Sequence, residues 1–370
     1  MDNPMDASKK RRGRAAETQD AEKGNQTPKK RARTEFTLTN GKLLKCKSNN
    51  YYDHYETEVK TITDLLALDA FYLEGHVDKA KAANIPFSTI HRLAPHLRKL
   101  EVMIGLEDVK KQVLSIVLYF LQQFDKRNND MLHTVVYGGP GVGKTRFINI
   151  LAEIYAALGV LPTAKVTVAK RADLIAGYLG QTAMKTRKVI ESAKGGVLLM
   201  DEAYAVGDKE QRDSYSRECI DTLNQALSEE KSELVCIIAG YKDDLNERFF
   251  KSNPGLERRF PFRVSIEDYS AAHLRDIFVQ IVRDNGWDLD DGAANVEWFE
   301  KNREHFRFNG GDMETLFTKT KFLHSVRVFC AREKKCFTSE DVQAGLASFL
   351  DNDEVRERKK KEHMMSHIYL

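Results

Sequence analysis

The chain has 370 residues, 42% of them hydrophobic, and a formal net charge of +3. This length and composition allow a large core and predict two or three domains. No apolar run approaches the ~18 residues that a membrane-spanning helix needs, and no secretory signal opens the chain. The five scattered cysteines contain no C-x-x-C pair, which fits structural thiols in a reducing compartment. We therefore expect an intracellular protein that is not secreted and has no membrane partner.

The positive charge belongs to the N-terminal segment. Residues 1–50 carry 13 Lys and Arg against 6 Asp and Glu, a net charge of +7, which leaves −4 for the rest of the chain. Residues 1–34 are polar and are expected to be a disordered tail. The basic clusters Lys9–Arg14 and Lys29–Arg33 predict a bipartite nuclear signal across residues 9–33 or an arm that contacts nucleic acid, and a solubilising tail stays an alternative. The predicted location is the nucleus or cytoplasm of a eukaryotic host cell.

Residues 35–100 form a region whose fold the sequence leaves open. The aromatic and polar segment Asn49–Tyr55 is typical of a binding surface, or of a loop or edge strand with tyrosines packed on the body. Apolar residues from Ile62 to Leu73 recur at helical spacing and predict a short amphipathic helix. We assign no chemistry to this region.

From Ile104 onward the pattern becomes regular. Apolar residues from Val109 to Leu121 predict a helix, and five apolar or β-branched strand candidates follow it. The candidates are 31, 31, 38 and 29 residues apart, which is enough each time for a strand, a crossover helix and a return. This alternation predicts an α/β fold, with a parallel five-stranded sheet between layers of helices in a domain at 101–266. The candidates centre on Val135, Val166, Val197, Val235 and Val264.

A glycine-rich loop joins the first of these strands to a helix. It has the pattern G-x-x-x-x-G-K-[ST], in which glycines let backbone N–H groups turn towards an anion and the helix N-terminus adds its positive dipole. Lys144 can then reach the β- and γ-phosphates, and Thr145 can hold Mg²⁺. The loop therefore predicts a bound nucleoside triphosphate. Its expected binding residues are Gly138, Gly139, Pro140, Gly141, Val142, Gly143, Lys144, Thr145 and Arg146.

A second motif ends the strand around Val197. Asp201 and Glu202 follow its apolar run, and a buried strand delivers its C-terminal residues to the crevice where open α/β sheets bind ligands. Asp201 is positioned to hold Mg²⁺, and Glu202 to orient and polarise the attacking water. An Asp-Glu pair after a strand is more often a helix N-cap, but its place two strand candidates after the phosphate loop favours the catalytic interpretation.

The strand candidates stop near residue 267, and a small all-helical domain is predicted at 267–350. Ser270, Asp312 and Ser339 each precede apolar residues at helical spacing and are the expected N-caps of three helices. The charged segment 351–370 is expected to be a solvated helix or tail.

Further blocks of sequence accompany the two motifs in a fixed order: Asp173–Thr182, Lys185–Thr186, Gly195–Val197, Asp201–Tyr204, Ile238–Tyr241 and Ser252–Leu256. Together they resemble the AAA+ ATPases, and among them the CbbX/SpoVK-like branch, from about Ile104 to Leu350. The basic tail adds a likeness to ATPases of large DNA viruses. The resemblance implies ATP hydrolysis with Mg²⁺, a homo-oligomeric ring that we expect to be a hexamer, a helical lid, and remodelling of a client protein through a central pore.

The resemblance also implies roles for residues outside the two motifs. Arg259, better than Arg258, matches the arginine finger that reaches the γ-phosphate of a neighbouring subunit, where an ordinary surface arginine is the alternative. Gly105 matches the segment that lines the adenine. The residues that match the client-gripping pore loop are Tyr178, Leu179 and Gly180.

Two places depart from the family pattern. The sensor-1 position, usually small and polar, falls at Tyr241 or Lys242. The lid lacks the arginine of the Gly-Asn-x-Arg pattern, because the chain reads Asn309–Glu314 there. Either another basic residue such as Lys319 substitutes, or the coupling between nucleotide and lid is altered.

Two other functions are compatible with the sequence. The basic tail is the basis for a nucleic-acid-associated motor or loader, and the missing lid arginine for a nucleotide-switched scaffold with little turnover. Membership of a family defines the ATPase and leaves the client unknown.

Overall fold

The computed structural model describes residues 32–48, 51–78, 81–124, 130–178, 180–207, 213–330, 335–353 and 355–357. Most of the expected basic tail, Leu179 of the expected pore loop and the end of the charged C-terminal segment lie outside these residues. Within the described part of the chain, no helix is both long and apolar enough to cross a membrane.

The N-terminal unit, residues 32–101, contains a three-stranded antiparallel sheet and two helices. The predicted helix at 62–73 is confirmed and begins at a capping box formed by Thr61 and Asp64. The first strand begins at Ala32, inside the segment expected to be a tail. The elements are β1 (Ala32–Thr37), β2 (Leu43–Ser48), β3 (Asp53–Glu56), α1 (Ile62–Leu73) and α2 (Phe87–Glu101).

The segment Asn49–Tyr55 leads into the edge strand β3. Tyr55 is 3% exposed and packs inside the unit, whereas Tyr51 is 85% exposed. The Asn84 side chain covers the free edge of β3, since it donates to the Tyr55 carbonyl at 2.6 Å and accepts from the Tyr55 N–H at 2.9 Å. The interpretation as an edge strand with a packed tyrosine is therefore confirmed.

A parallel five-stranded sheet forms the centre of the next domain, in the order β5-β6-β7-β4-β8. Each strand coincides with one of the predicted candidates, so the predicted α/β class is confirmed. The three inner strands are almost wholly buried, because they carry continuous apolar runs that suit a sheet covered on both faces. The strands are β4 (Thr134–Gly138), β5 (Val166–Ala169), β6 (Val197–Asp201), β7 (Val235–Gly240) and β8 (Phe262–Ile266).

Helices cover both faces of this sheet. One layer contains α3 (Glu107–Leu121) and α4 (Lys144–Leu158), and the other contains α6 (Thr182–Ala193) and α7 (Ser214–Glu229), with the short α5 (Arg171–Leu174) before them. Alternate strand residues supply the two cores. Val136, Leu199 and Ile237 share a core with α3 and α4, and Val135, Leu198 and Ile238 share one with α6 and α7.

Short turns follow β6 and β7. A 3-10 turn at Ala203–Ala205 comes directly after β6. After β7 the chain forms α8 (Lys242–Asp244), a π-helical turn (Leu245–Phe249), a 3-10 turn (Phe250–Ser252) and α9 (Pro254–Glu257). These turns connect the catalytic end of the sheet to Arg258 and Arg259.

The C-terminal domain is helical, with α10 (Ala271–Asp284), α11 (Val296–Asn302), α12 (Asn309–Arg327) and α13 (Ser339–Leu350). Strands do not stop entirely near residue 267 as expected, because β9 (Asp288–Leu289) and β10 (Cys336–Phe337) form a short parallel pair.

Of the three expected N-caps in this domain, Ser270 is confirmed, since its side chain accepts from the His273 N–H. The predicted cap at Ser339 is wrong by one residue, because Thr338 caps α13 in a box with Asp341. The predicted cap at Asp312 is also wrong. Helix α12 begins at Asn309, and the Asp312 carboxylate lies in its first turn, where it accepts from the Phe308 N–H at 2.7 Å.

The N-terminal unit is attached to the sheet domain through helix α4. The Arg92 side chain of α2 donates to the Ala157 carbonyl at 2.8 Å, near the end of α4. His96 and Lys99 of α2 both contact the Glu153 carboxylate, at 2.9 and 2.7 Å. Helix α2 thus packs along the helix that begins at Lys144.

Candidate nucleotide-binding and hydrolysis site

A cleft of about 510 Å³ lies at the carboxyl ends of β4, β6 and β7, between the sheet domain and the lid. Open α/β sheets bind their ligands at this end, because loops from neighbouring strands meet there. The cleft brings together nine residues that the sequence predicted for the site. They are Pro140, Gly141, Gly143, Lys144, Thr145, Arg146, Asp201, Glu202 and Tyr241.

The glycine loop wraps the N-terminus of α4. Gly141 and Gly143 have φ angles of +71° and +86°, a region that residues with a Cβ rarely adopt. The Lys144 ammonium donates to the carbonyls of Gly138 and Gly139, at 3.0 and 2.7 Å. The lysine is therefore held across the mouth of the loop, beside the helix N-terminus that favours anions.

Five residues predicted for the phosphate loop, the adenine segment or the sensor-1 position do not line the cleft: Gly105, Gly138, Gly139, Val142 and Lys242. Gly138 and Gly139 act through the carbonyls that hold Lys144. Val142 is fully buried beneath the loop. Gly105 packs against His273 and Tyr269, and its neighbours Met103 and Ile104 line the cleft instead.

Two oxygen ligands suitable for Mg²⁺ line the same cleft as Lys144. Thr145 is the second residue of α4, Asp201 is the last residue of β6, and both line the cleft. Mg²⁺ favours a few protein oxygens together with water and phosphate, so this pair fits it. Burial lowers the pKa of Lys144, while the negative charges of Asp201 and Glu202 act in the opposite direction.

Glu202 follows Asp201 with its side chain exposed to the cleft. Its N–H donates to the Asp201 carboxylate at 3.0 Å, and its φ of 53° lies in the left-handed region. Tyr204, which the sequence analysis did not assign, lines the cleft beside it. Burial and the charge of Glu202 raise the pKa of Tyr204 to about 12. Tyr204 is the last residue of the sequence block Asp201–Tyr204. Its closeness in sequence to Asp201 and Glu202 was the signal that could have identified it as a residue of the cleft.

The lid contacts the glycine loop directly. The Gly310 N–H donates to the Gly141 carbonyl at 3.0 Å. The buried Asn309 side chain donates to Asp268 at 2.9 Å and accepts from the Tyr269 N–H at 3.1 Å. The Tyr269 hydroxyl in turn donates to the Val142 carbonyl at 2.9 Å. The sequence analysis singled out this lid segment for its missing arginine, but not for these contacts.

No lid cation replaces the missing arginine among the described residues that line the cleft. Lys319 is not one of them, and the lid contributes the acidic residues Asp284 and Glu314, with Gln280 and Gly311. The basic side chains of the cleft, Lys144 and Arg146, both come from the glycine loop and α4.

Arg258 and Arg259 lie away from the cleft of their own chain. Arg258 is exposed and lines an apolar groove with Phe120, Phe262 and other residues of α3 and β8. Arg259 is half-buried, and its Nε has no hydrogen-bond partner within the described part of the chain.

The expected pore loop precedes α6. Tyr178 is 74% exposed and stands next to Gly177, while Gly180 has a φ of +77°. Tyr178 is therefore a surface residue and not part of the core. The third residue of that loop, Leu179, lies outside the described residues.

Comparisons with known proteins agree with this geometry. The ATPase family associated with various cellular activities (AAA) matches residues 134–267. A putative cfxQ-like protein of Acanthamoeba polyphaga mimivirus is 39% identical over 277 residues, which cover 73% of this chain and 68% of that protein. Stage V sporulation protein K of Bacillus subtilis is 31% identical over 207 residues, 54% of this chain and 63% of that protein.

A third relative carries a functional name. The chloroplastic ribulose bisphosphate carboxylase/oxygenase activase of Cyanidioschyzon merolae is 31% identical over 242 residues, 63% of this chain and 82% of that protein. The mimivirus relative matches the expected likeness to proteins of large DNA viruses. The chain belongs to the AAA ATPases, in the branch of CfxQ, CbxX and the sporulation protein K.

Proposed function

We propose that this chain hydrolyses ATP with Mg²⁺ in a homo-oligomeric ring, taken to be a hexamer, and uses the energy to remodel a client protein. One observation carries the proposal. The phosphate-binding, metal-binding and base groups share one cleft, whereas the expected arginine finger lies outside that cleft. A site without its finger is complete when a neighbouring subunit supplies it.

Each residue of the cleft has a chemical role in this proposal. Lys144 and the N-terminus of α4 neutralise the β- and γ-phosphates. Thr145 and Asp201 hold Mg²⁺, which would offset the charge on the transferred phosphoryl group. Glu202 orients the attacking water and accepts its proton, which requires the ionised carboxylate.

In this proposal Tyr178 contacts the client protein. An exposed aromatic residue flanked by glycines can move with its loop and bind an extended polypeptide, which suits a pore that pulls on a client. The rubisco activase and the sporulation protein among the relatives support a remodelling role. The client of this chain stays unidentified, because related ATPases act on different clients.

A mixing experiment tests the ring. Lys144→Ala keeps its finger and loses its phosphate site, and Arg259→Ala has the opposite defect. Each variant alone should lose about 10²-fold or more in turnover. A mixture should recover activity well above either one, because a subunit with an intact cleft then meets a neighbour with an intact finger. Arg258→Ala is the matched control and should retain activity.

Three results would contradict this proposal. Turnover per subunit that stays constant on dilution would show that assembly is not needed. A Glu202→Gln variant that hydrolyses ATP normally would remove the assigned base. If the mixture shows no recovery while Arg259→Ala is active by itself, the finger does not act between subunits.

A second candidate is a nucleic-acid-associated motor, with the nucleus as its location. It rests on the basic clusters at 9–14 and 29–33, within a tail that is mostly outside the described residues. Binding of DNA that weakens with salt and disappears on deletion of residues 1–31, together with DNA-stimulated hydrolysis, would support it. Negligible turnover of the intact chain with Mg²⁺-ATP would instead favour a nucleotide-switched scaffold.

A further inference from the structure

Of the two residues considered for the sensor-1 position, Tyr241 is the one at the cleft. It directly follows β7, lines the cleft and is 40% exposed. Lys242 is the first residue of α8 and does not line the cleft. The chain therefore presents an aromatic ring to the nucleotide site at a position that is usually small and polar.

The Tyr241 ring lies beside the phosphate-binding lysine. The Lys144 Nζ is 5.9 Å from the centre of the ring, within the range of a cation–π contact. The same ammonium donates to the carbonyls of Gly138 and Gly139, at 3.0 and 2.7 Å. These contacts hold the ammonium between the glycine loop and the residue that follows β7.

An aromatic ring suits this place better than a carboxylate would. A carboxylate would form an ion pair with the ammonium and would also repel the phosphates of the nucleotide. The face of a ring attracts a cation through its quadrupole and carries no net charge. The ring can thus hold Lys144 in place without opposing the phosphates that the lysine has to bind.

A second ring supports the first. The ring centroids of Tyr241 and Tyr204 are 6.0 Å apart, at an interplanar angle of 38°. Tyr204 in turn lies against the end of β7, where a Cβ added to Gly240 would be 3.0 Å from the Tyr204 Cδ1. The Arg248 guanidinium carbon is 6.0 Å from the Tyr204 centroid. The two tyrosines therefore form an aromatic pair between the cations of Lys144 and Arg248.

We propose that Tyr241 positions the Lys144 ammonium for the β- and γ-phosphates through its ring, and that Tyr204 supports this ring. The inference rests on the nucleotide site of the proposed function and names a further residue on which phosphate binding depends. Tyr241 is a positioning residue here, since it acts through Lys144. Its ring, and not its hydroxyl, is the part that acts.

Binding of ADP and AMP with Mg²⁺ tests the role of the ring. A P-loop lysine contacts the β-phosphate, which ADP has and AMP lacks. In Tyr241→Leu we expect the affinity for ADP to fall about 3- to 30-fold, as for one lost cation–π contact, with the affinity for AMP within about twofold of the wild type. Tyr241→Phe keeps the ring and should bind both nucleotides like the wild type. Competition with a fluorescent ADP analogue measures these affinities.

Tyr52→Leu is the matched control, because Tyr52 is also 40% exposed and does not line the cleft. It should change neither affinity. Tyr204→Leu should lower the affinity for ADP less than Tyr241→Leu, since it acts only through the first ring. A variant with both changes should lose no more than Tyr241→Leu alone, because both rings act on one ammonium. Melting temperatures report whether each variant is folded.

Four outcomes would overturn the inference. Equal losses in Tyr241→Phe and Tyr241→Leu would assign the role to the hydroxyl, as for a polar group that binds phosphate. Equal losses for ADP and AMP would assign the ring to the shape of the cleft. Unchanged ADP affinity in Tyr241→Leu would exclude a positioning role, and losses that multiply in the double variant would remove the support by Tyr204.

Failure of the proposed function is distinguishable from failure of this inference, because the affinities for ADP and AMP do not depend on hydrolysis. A wild-type chain that binds ADP and does not hydrolyse ATP would contradict the proposed function alone.

Discussion

The two walls of the cleft differ in the chemical groups that they present. The sheet side presents the charged side chains of Lys144, Asp201 and Glu202 near the ends of β4 and β6, as expected for a phosphate site. The lid side presents acidic residues and is bound to the glycine loop through Asn309 and Gly310. The side chains that suit phosphate and Mg²⁺ are thus concentrated in two motifs, whereas the lid is joined to the glycine loop by backbone and amide contacts.

The largest expected effect is a difference in ATP turnover between a lysine of the glycine loop and a lysine of the lid domain. Lys144→Met removes the ammonium from the loop, and turnover should fall about 10²–10³-fold, as when a transition-state donor is lost. Lys319→Met on the lid should stay within about twofold, because Lys319 does not line the cleft. Steady-state ATP hydrolysis measures both. A comparable loss in Lys319→Met would show that the lid lysine reaches the nucleotide and replaces the missing arginine.

The contact between the walls can be broken from the glycine loop. In Gly141→Ala the new Cβ would lie 1.9 Å from the Phe308 carbonyl at a φ of +71°, so we expect a loss of about 2–4 kcal/mol in unfolding free energy. Gly311→Ala adds a Cβ with no neighbour within 4 Å in the first turn of α12. That change should be neutral or stabilise by up to about 1 kcal/mol. Urea titrations of both variants compare them, and equal destabilisation would contradict this picture.

Asn309 tests the amide part of the same contact. Asn309→Gly keeps the left-handed backbone, whose φ is 45°, and removes the bonds to Asp268 and Tyr269. Leaving the buried Tyr269 N–H unpaired should cost about 1–3 kcal/mol and weaken ATP binding in parallel. Urea unfolding and nucleotide titration calorimetry report the two effects. Loss of stability with unchanged ATP affinity would separate the lid from the nucleotide.

The smallest expected effect is on the pH dependence of stability. It concerns two carboxylates that cap helices, one in the sheet domain and one in the helical domain. Asp213 begins α7 and bonds to Ser216 and Arg171; these bonds outweigh the opposing effect of burial and lower the pKa of Asp213 to about 2. For Asp341 at α13, bonds to Arg327 likewise outweigh burial and lower the pKa.

The pH dependence follows from the sign of these shifts. Depressed pKa values give stability that is present above about pH 4 and lost as the pH falls towards 2. Asp213→Asn and Asp341→Asn should each reduce the fall in melting temperature between pH 4 and pH 2, the latter more, since Asp341 accepts two bonds from Arg327. An unchanged slope in both variants would show that other carboxylates dominate.

The parts of the structure that depend on local pattern were predictable. All five strands of the parallel sheet and the helix after the glycine loop follow from apolar periodicity. The positions of Lys144 and Asp201 follow from motif spacing. Caps were less certain, because adjacent residues compete. Thr338 and Ser339 can both cap a helix, and Asp341 favours Thr338 through a reciprocal box.

Contacts between residues distant in sequence were not predictable. Asn309 bonds to a side chain 41 residues away, and its left-handed backbone has no signature in one sequence. The hairpin of β1 and β2 is a different case, because Asn40-Gly41 between the two strands is a typical hairpin turn and was an available signal. The surroundings of Tyr204 were hidden as well, because its ring lies against Arg248 and in the space that Gly240 leaves.

The packing of α2 along α4 bears on how the molecule can be divided. The motif-based domain boundary at residue 101 runs through a packed interface, because Arg92, His96 and Lys99 bind the far half of the helix that begins at Lys144. Helix α4 is a rod of 15 residues, about 22 Å long, with the phosphate loop at one end and these contacts near the other. The N-terminal unit is thus joined to the sheet domain through α4. A partner protein bound to this unit would lie against a helix whose first turn belongs to the predicted phosphate site.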